Sequence, residues 1–95
     1  MRLRWTPTAF SDLRALREYI ARDNLRAADA MVERIEAAAA VLVRNPEAGR
    51  RGRVQGTREL VIPGTPYILV YRVRPTRVEI VAALHAARKW PAKFG

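Results

Sequence analysis

The chain has 95 residues, no cysteine and a formal net charge of +9, and 49% of its residues are hydrophobic and 28% charged. This length predicts one domain with a single core, and the composition excludes a disordered chain. The lack of cysteine excludes a disulfide framework and a thiolate metal site, and it fits a reducing cytosol.

The first predicted element is a short strand at the N-terminus, in which Leu3 and Trp5 alternate with arginines. It could join a sheet at one edge or beside the last strand. Thr6 and Pro7 have the residue types of a helix N-cap and of the first helical position. Apolar residues then recur at helical spacing and predict one apolar face. They are Phe10, Leu13, Leu16 and Ile20.

A second helix is predicted after the polar stretch 22–24. It ends before Asn45 and Pro46, since a residue that precedes proline avoids the α region. Its apolar positions are Ala28, Met31, Ile35, Ala38 or Ala39, and Leu42. The short linker makes the two helices antiparallel neighbours, which lay one apolar stripe on a sheet.

The segment 47–56 contains three glycines together with Arg50, Arg51 and Arg53, and it is predicted to be a loop. Its arginines could bind phosphates, and its glycines could let backbone N–H groups approach an anion. It lacks the strand-to-helix placement and the Lys-Ser/Thr ending of a nucleotide P-loop. A ligand site and a solvated basic loop both remain open for this segment.

Three runs rich in β-branched and aromatic residues follow, at 59–62, 67–73 and 78–84. Pro63-Gly64 between the first two suits a type II turn, because glycine accepts a positive φ, and the polar stretch 74–77 separates the last two. The runs predict a three-stranded antiparallel meander, whose middle strand has apolar groups on both faces. We therefore predict an α+β fold: an N-terminal strand, a helical hairpin and a meander, forming one sheet packed against the helices.

The positive charge is unevenly placed along the chain. Residues 1–6 carry two arginines, residues 7–45 carry six basic and six acidic residues, and residues 46–95 carry ten basic and three acidic residues. The net charges are therefore +2, 0 and +7. This distribution favours a polyanionic partner for the sheet and the tail, and a merely solubilising surface is the alternative.

Few residues have the chemistry of a catalytic group. His85 is the only histidine and could act as a general base, but we favour a structural role in which it hydrogen-bonds the following loop. Trp5 and Trp90 are predicted to pack. Ser11 has no plausible base beside it, and no spacing of histidine and acidic residues predicts a metal site, so we expect neither serine catalysis nor a cofactor. No apolar stretch approaches the roughly 20 residues that span a bilayer, and no charged-then-apolar leader is present, so we expect a soluble cytoplasmic protein.

The order of elements, the stretch 57–60, the strand 67–73 and the ending LHAARKWP at 84–91 resemble the RelE/ParE toxins of type II toxin-antitoxin systems. The combination of this strand with this ending is closer to the ParE branch. The resemblance covers nearly the whole chain and implies a single toxin domain over 1–95. It also implies a bacterial toxin held inactive in a hetero-oligomer by a cognate ParD/RelB-like antitoxin. ParE members poison DNA gyrase, whereas RelE members cut messenger RNA on the ribosome.

RNA cleavage by 2′-hydroxyl attack needs groups that take that proton, stabilise the phosphorane and protonate the leaving oxygen. In the RelE toxins that this chain resembles, these groups are basic residues on the sheet and a tyrosine near the C-terminus. Aligned on the strand, this chain has Glu59, Val61 and Ile68 in place of two lysines and an arginine. Phe94 stands near the place of the tyrosine, and phenylalanine cannot transfer a proton. We therefore expect a gyrase inhibitor without enzymatic activity, with mRNA cleavage as the alternative.

The resemblance and the charge together indicate which residues contact a target or partner. Arg88 belongs to the ending that resembles the family, although a salt bridge to Glu59 or Glu79 would also explain it. His85 stands where some RNA-cleaving relatives have a histidine. The full set of predicted contact residues is Arg50, Arg51, Arg53, Arg58, Arg72, His85 and Arg88.

A non-toxic nucleic-acid-binding module that uses the same basic sheet is a further alternative. Its binding would be dominated by phosphate contacts and would weaken steeply with salt. The sequence shows no helix-turn-helix, RRM or OB pattern, and aromatic residues at 7% are sparse for a base-stacking platform.

Overall fold

The computed structural model of the chain describes residues 1–94, which form one five-stranded sheet and two helices. The strands are β1 (Arg2–Trp5), β2 (Arg50–Arg51), β3 (Arg58–Val61), β4 (Tyr67–Val73) and β5 (Arg77–His85), and the helices are α1 (Pro7–Ala21) and α2 (Leu25–Arg44). The strand order in the sheet is β1-β5-β4-β3-β2. β1 runs parallel to β5, and the other neighbours are antiparallel. The predicted α+β fold is confirmed, with β1 both at an edge and beside the last strand.

The predicted meander is present, and its first turn has the predicted type II geometry. The Thr65 N–H donates to the Ile62 carbonyl at 3.1 Å, and Gly64 between them has φ = 74°. A side chain would be strained at this φ, so glycine suits the position. The second turn is closed by the Arg74 N–H, which donates to the Arg77 carbonyl at 2.8 Å.

The segment predicted as a plain loop at 47–56 contains the two-residue strand β2, so that prediction was incomplete. β2 pairs with β3 and places Arg50 opposite Glu59 and Arg51 opposite Arg58. Both residues of β2 are exposed arginines, so no hydrophobic alternation reveals the strand. Arg50 of this strand donates to the Glu59 carboxylate on β3, nine residues further along the chain.

Both helices are capped at their N-termini by a polar side chain, and the Thr6 cap of α1 is as predicted. The Thr6 hydroxyl accepts from the Ala9 N–H at 3.2 Å, and the Asn24 side chain accepts from the Ala27 N–H at 3.0 Å. The prediction that Phe10 lies on the apolar face of α1 was wrong, because its side chain is 54% exposed. Ala9 occupies the buried position instead, and it continues the stripe of Leu13 and Leu16 at helical steps. Within residues 1–94 neither helix combines the length and apolar character needed to cross a membrane.

The two faces of the sheet are covered differently. The face that packs on α1 and α2, here called the helix face, carries the main core. Its buried strand residues are Tyr67, Leu69, Tyr71, Val78, Ile80 and Ala83. The opposite face, here called the outer face, has a small cluster of Val70, Val81 and Ala82. Leu84, Trp90 and Phe94 pack against that cluster, so the C-terminal segment covers part of the outer face.

The Tyr71 side chain is buried in the core together with its hydroxyl. It donates to the Pro46 carbonyl at 2.7 Å and accepts from the Gly49 N–H at 2.9 Å. A Cβ atom at Gly49 would lie 2.7 Å from this hydroxyl, so only glycine fits there without a shift. Burial raises the pKa of Tyr71, and the hydroxyl stays protonated and able to donate. These two bonds hold the segment after α2 against the centre of the sheet.

Replacing Tyr71 with Phe should lower the free energy of unfolding by about 1–3 kcal/mol, because the buried Gly49 N–H loses its acceptor and the Pro46 carbonyl its donor. Urea denaturation of the full chain measures this loss. Tyr67→Phe is the matched control, because the Tyr67 hydroxyl makes no hydrogen bond within residues 1–94, and it should change stability by less than about 0.5 kcal/mol. Equal losses in the two variants would contradict the assigned role of the Tyr71 hydroxyl.

Candidate functional site

The outer face of the sheet concentrates the charged residues of the C-terminal half. Two of its carboxylates, Glu59 and Glu79, are almost fully buried, with 3% and 6% of their surfaces exposed. A buried carboxylate is costly unless cations and hydrogen bonds compensate it. Each of the two is surrounded by arginines, so the outer face is organised by two separate ion clusters.

The first cluster, here called the Glu59 cluster, consists of Glu59, Arg50 and Arg53. The Glu59 Oε2 atom accepts from the Arg53 backbone N–H at 2.8 Å and from Arg53 Nε at 3.2 Å. The Oε1 atom accepts from Arg50 at 3.1 Å and from the other end of the Arg53 guanidinium at 3.4 Å. The carboxylate is thus held by both arginines and by the backbone of the loop.

The same contacts explain how Glu59 titrates. Burial raises the pKa of the Glu59 carboxyl, but the hydrogen bonds from the Arg53 backbone, the Arg53 side chain and Arg50 outweigh it. The net result is a pKa below the usual range for glutamate. Glu59 is therefore ionised at neutral pH, and it cannot serve there as a proton donor.

Arg53 also joins the Glu59 cluster to the C-terminal segment. Its guanidinium lies 3.6 Å from the centre of the Trp90 ring, which is a stacked cation–π contact. The Trp90 indole N–H donates to the His85 carbonyl at 3.2 Å, and Arg72 donates to the Phe94 carbonyl at 2.5 Å. These contacts hold the segment 86–94 across the outer face, and the predicted packing role of Trp90 is confirmed.

The second cluster, here called the Glu79 cluster, consists of Glu79, Arg4, Arg74 and Arg77. Its three ion-pair distances are 3.4 Å to Arg4, 3.3 Å to Arg74 and 2.9 Å to Arg77. Burial raises the pKa of Glu79, but the hydrogen bonds and charges of Arg77 and Arg74 outweigh it and the pKa is lowered. The cluster connects β1, the β4–β5 turn and β5.

His85 lies at the end of β5 and makes the predicted hydrogen bond to the following loop. Its Nδ1 atom accepts from the Ala87 N–H at 3.1 Å, and its ring packs edge-on against Tyr67 with centroids 5.7 Å apart. Beside it is a cavity of about 150 Å³ whose lining includes Asp12, His85 and Arg88.

The alternative of a salt bridge from Arg88 to Glu59 or Glu79 is not realised in the structure. Both carboxylates are occupied by other arginines. The Arg88 guanidinium lies instead 5.5 Å from the ring centre of Tyr19 on α1. Arg88 is exposed, so it can contact a partner without breaking an ion pair of the fold.

Asp12 on α1 makes a long-range contact to the sheet that was not predicted from the sequence. β1 pairs with β5 only as far as Ile80, and the Asp12 Oδ2 atom accepts from the Ala83 N–H beyond that point, at 3.0 Å. The α1 side chain thus caps an open strand edge. Burial raises the pKa of Asp12, and the bond from Ala83 opposes that rise only in part.

A second and larger cavity lies at the end of the sheet near the β2–β3 connection, and it is here called the loop cavity. Its volume is about 480 Å³. Its lining consists of Arg51, Gly52, Gln55, Gly56, Thr57, Arg58 and Val73. Arg58 donates to the Gly49 carbonyl at 2.7 Å, which fixes its guanidinium beside the cavity.

The predicted contact residues therefore fall into four places. Arg50 and Arg53 meet at Glu59, and Arg51 and Arg58 meet at the loop cavity. Arg72 lies under the C-terminal segment, and His85 and Arg88 share the cavity near α1. Among residues 1–94 no group of three or more histidine and acidic side chains could hold a metal ion.

Glu59 and Glu79 organise the outer face, yet their burial among several arginines was not predicted from the sequence. The sequence does contain a signal for the arginine partners of these two acids. Each is a lone acid inside a strand of apolar residues, in a part of the chain rich in arginine. Such an acid is costly to bury alone, so an arginine partner could have been expected for each of them.

Comparison with known proteins identifies toxins as relatives of this chain. Residues 3–90 match the family model of the ParE toxin of type II toxin-antitoxin systems, parDE. The Y4kP protein of Sinorhizobium fredii is 42% identical over 90 residues, which are 95% of this chain and 93% of that protein. Toxin RelE2 of Caulobacter vibrioides is 39% identical over 84 residues, which cover 88% of this chain and 93% of that toxin.

Solved structures agree with these relatives. A chain of the chromosomal ParDE TA system from P. aeruginosa superposes with a TM-score of 0.80 and 30% identity, over 90% of this chain and 95% of that one. The YoeB/ParE toxin from Agrobacterium tumefaciens superposes with a TM-score of 0.61 and 27% identity, over 90% of this chain and 98% of that one.

Replacing Glu59 with Gln should lower the free energy of unfolding at neutral pH by about 1–3 kcal/mol, because the ionic attraction to Arg50 and Arg53 is lost and the amide NH2 group cannot accept their hydrogen bonds. Since the folded-state pKa of Glu59 is below its unfolded value, the stabilisation is present above the usual carboxyl pKa. It is lost as the pH falls through the folded-state pKa. The difference between wild type and variant should therefore shrink in acid.

Urea denaturation at a series of pH values measures this difference. Glu47→Gln is the matched control, because Glu47 is exposed and forms no ion pair within residues 1–94. A stability difference for Glu59→Gln that stays constant down to strongly acidic pH would rule out the ionised cluster as its cause.

Proposed function

This chain belongs to the ParE toxin family of type II toxin-antitoxin systems, and from that premise we propose that it inhibits or poisons DNA gyrase. A cognate ParD/RelB-like antitoxin neutralises it in a hetero-oligomer. The observation that supports gyrase rather than RNA as the target is the chemistry of the outer face. That face lacks the proton-transferring side chains that the resemblance assigns to RNA-cleaving members.

Three positions carry this argument. Glu59 is an ionised carboxylate already held by two arginines, so it neither donates a proton nor stabilises a phosphorane's negative charge. Val61 and Ile68 face each other across β3 and β4 and are apolar. Phe94 packs on the outer face near the place of the catalytic tyrosine and has no hydroxyl. A protein that acts by binding needs no proton transfer, and this arrangement suits one.

The antitoxin proposal is supported by exposed apolar surface and by charge. Four large apolar side chains of the helical hairpin are more than half exposed: Phe10, Tyr19, Leu25 and Val41. An amphipathic helix of a partner can cover such residues. The net charge of +9 attracts an acidic segment, and binding of that segment would neutralise charge and bury apolar surface together. The proposed target and partner place the protein in the cytoplasm.

Ribosome-dependent cleavage of mRNA is the second candidate, and two observations favour it. One relative at 39% identity is named as toxin RelE2. His85 and Arg88 also line one cavity, where an imidazole and a guanidinium could act on a phosphate. Against this candidate, the Nδ1 atom of His85 already accepts a hydrogen bond from the Ala87 N–H, so this nitrogen is not free to take a proton from RNA.

Among the predicted contact residues, we propose that Arg88 contacts the target, since it is exposed and makes no ion pair with either buried carboxylate. Arg51 and Arg58 remain contact candidates because they line the loop cavity. Arg50, Arg53 and Arg72 act indirectly, by holding Glu59 and the C-terminal segment in place.

The first test is a supercoiling and DNA-cleavage assay with the purified full chain, gyrase, ATP and relaxed plasmid. The expected result is lost supercoiling or accumulated cleaved DNA, reversed by the antitoxin encoded beside the toxin. An active gyrase in the presence of excess folded toxin, together with mRNA cut on translating ribosomes, would transfer the assignment to the second candidate.

Arg88→Ala should raise the toxin concentration needed for half-maximal gyrase inhibition about tenfold, because a binding arginine is lost. Arg26→Ala on the exposed surface of α2 removes the same charge and should leave that concentration unchanged. His85→Gln should also retain inhibition, since the amide can accept a hydrogen bond. If His85 were a general base for RNA cleavage, the same variant would lose on the order of 10²–10⁴ in rate.

A further inference from the structure

We propose that the loop cavity is a phosphate-binding site in which Arg51 and Arg58 grip a phosphate group. The proposal does not rest on gyrase as the target, because it follows from the charges and backbone of this cavity alone.

The loop cavity is lined by two positive charges that no acidic residue of its lining compensates. Arg51 on β2 lies directly opposite Arg58 on β3, and like charges in that register destabilise a sheet. The lining of the cavity contains no acidic residue. Glu59, the next residue along β3, lies on the outer face and is occupied by Arg50 and Arg53. Two positive side chains therefore meet here without a counter-ion among residues 1–94.

The Arg58 guanidinium is held in place before any ligand binds. Its contact is the carbonyl of Gly49, a neutral acceptor at 2.7 Å, which orients the group without cancelling its charge. Gly49 is itself fixed by the Tyr71 hydroxyl at 2.9 Å. A preorganised cation loses less conformational entropy when a ligand binds.

The backbone that borders the cavity leaves room for an anion at Gly56. The Gly52 N–H donates to the Thr57 carbonyl at 2.8 Å, and the Thr57 hydroxyl donates to the Val54 carbonyl at 2.6 Å. These bonds close the turn between β2 and β3. Gly56 in this turn has φ = 81°, and nothing lies within 4 Å of the point where its Cβ would be. An anion can therefore approach the backbone closely at Gly56.

Charge and size together favour phosphate over carboxylate as the ligand. A phosphate monoester carries about two negative charges and three acceptor oxygens, which match two guanidinium groups, whereas a carboxylate carries one charge. The cavity of about 480 Å³ is also larger than one phosphate needs. The remaining space, bordered by Gln55 and Val73, fits a group attached to the phosphate, such as the sugar of a nucleotide.

A second pair of opposed arginines in the same sheet provides the control. Arg2 on β1 lies opposite Arg77 on β5, but Arg77 is paired with Glu79 at 2.9 Å. Arg2, like Arg51, is exposed. Arg2→Gln therefore removes the same charge from the protein as Arg51→Gln, at a place where the repulsion is already compensated.

The test is a titration of the full chain with inorganic phosphate at constant ionic strength, followed by ¹H–¹⁵N NMR. We expect saturable shifts of the Gly52, Gly56 and Thr57 amide signals. Arg51→Gln should weaken binding about tenfold, because one charge-assisted bidentate contact is lost, and Arg2→Gln should leave it unchanged. Thermal unfolding gives a second readout, since phosphate should raise the Tm of the wild type and of Arg2→Gln more than that of Arg51→Gln.

Three results would overturn the proposal. Equal weakening by Arg51→Gln and Arg2→Gln would mean that phosphate is attracted only by the overall positive charge. Acetate that binds as tightly as phosphate on the same amides would identify a carboxylate site. Shifts that never saturate would mean that no site exists.

Discussion

The burial of the Glu59 carboxylate is the constraint on which the arrangement of the outer face depends. An ionised group with 3% of its surface exposed must be compensated, and two arginines from one short segment provide the compensation. Their approach brings Arg50 and Arg51 alongside β3 and so creates β2. Through Arg53, the same cluster reaches Trp90 and holds the C-terminal segment. One carboxylate thus links β3, the arginine segment just before it and the C-terminal segment.

The two faces of the sheet are stabilised by different kinds of interaction. The helix face is stabilised by apolar burial around Leu69 and Tyr71, with one buried hydroxyl that anchors the connection after α2. The outer face is stabilised mainly by ion clusters, with only a small apolar cluster around Val70. The arginines that complete those clusters are each paired with a carboxylate, which lowers the net positive charge that the outer face presents. Within residues 1–94, Arg88 and the two arginines that line the loop cavity make no ion pair with either buried carboxylate.

Local signals in the sequence were sufficient to predict the regular elements. Thr6 and Asn45-Pro46 bounded the helices, Gly64 indicated the type II turn, and the run 67–73 matched β4 residue for residue. Each of these features depends on neighbours within a few positions. The strand β2 consists of two exposed arginines and so shows no hydrophobic alternation. The buried hydroxyl of Tyr71 and the stack of Arg53 on Trp90 depend on contacts between distant segments, so no local pattern contains them. The error at Phe10 arose because small Ala9, which takes the buried position, contributes little to an apolar periodicity.

The parallel pairing of β1 with β5 sets the order in which the fold can be completed. Arg2 lies beside Arg77, so β1 has no partner in the sheet until β5 has been synthesised. The helical hairpin depends on local contacts and can form early, whereas β1 must wait. Arg4 likewise reaches its buried carboxylate only when Glu79 has emerged. During vectorial synthesis the sheet therefore stays open at this edge until β5 has emerged, and the β1 pairing and the Glu79 cluster are completed together.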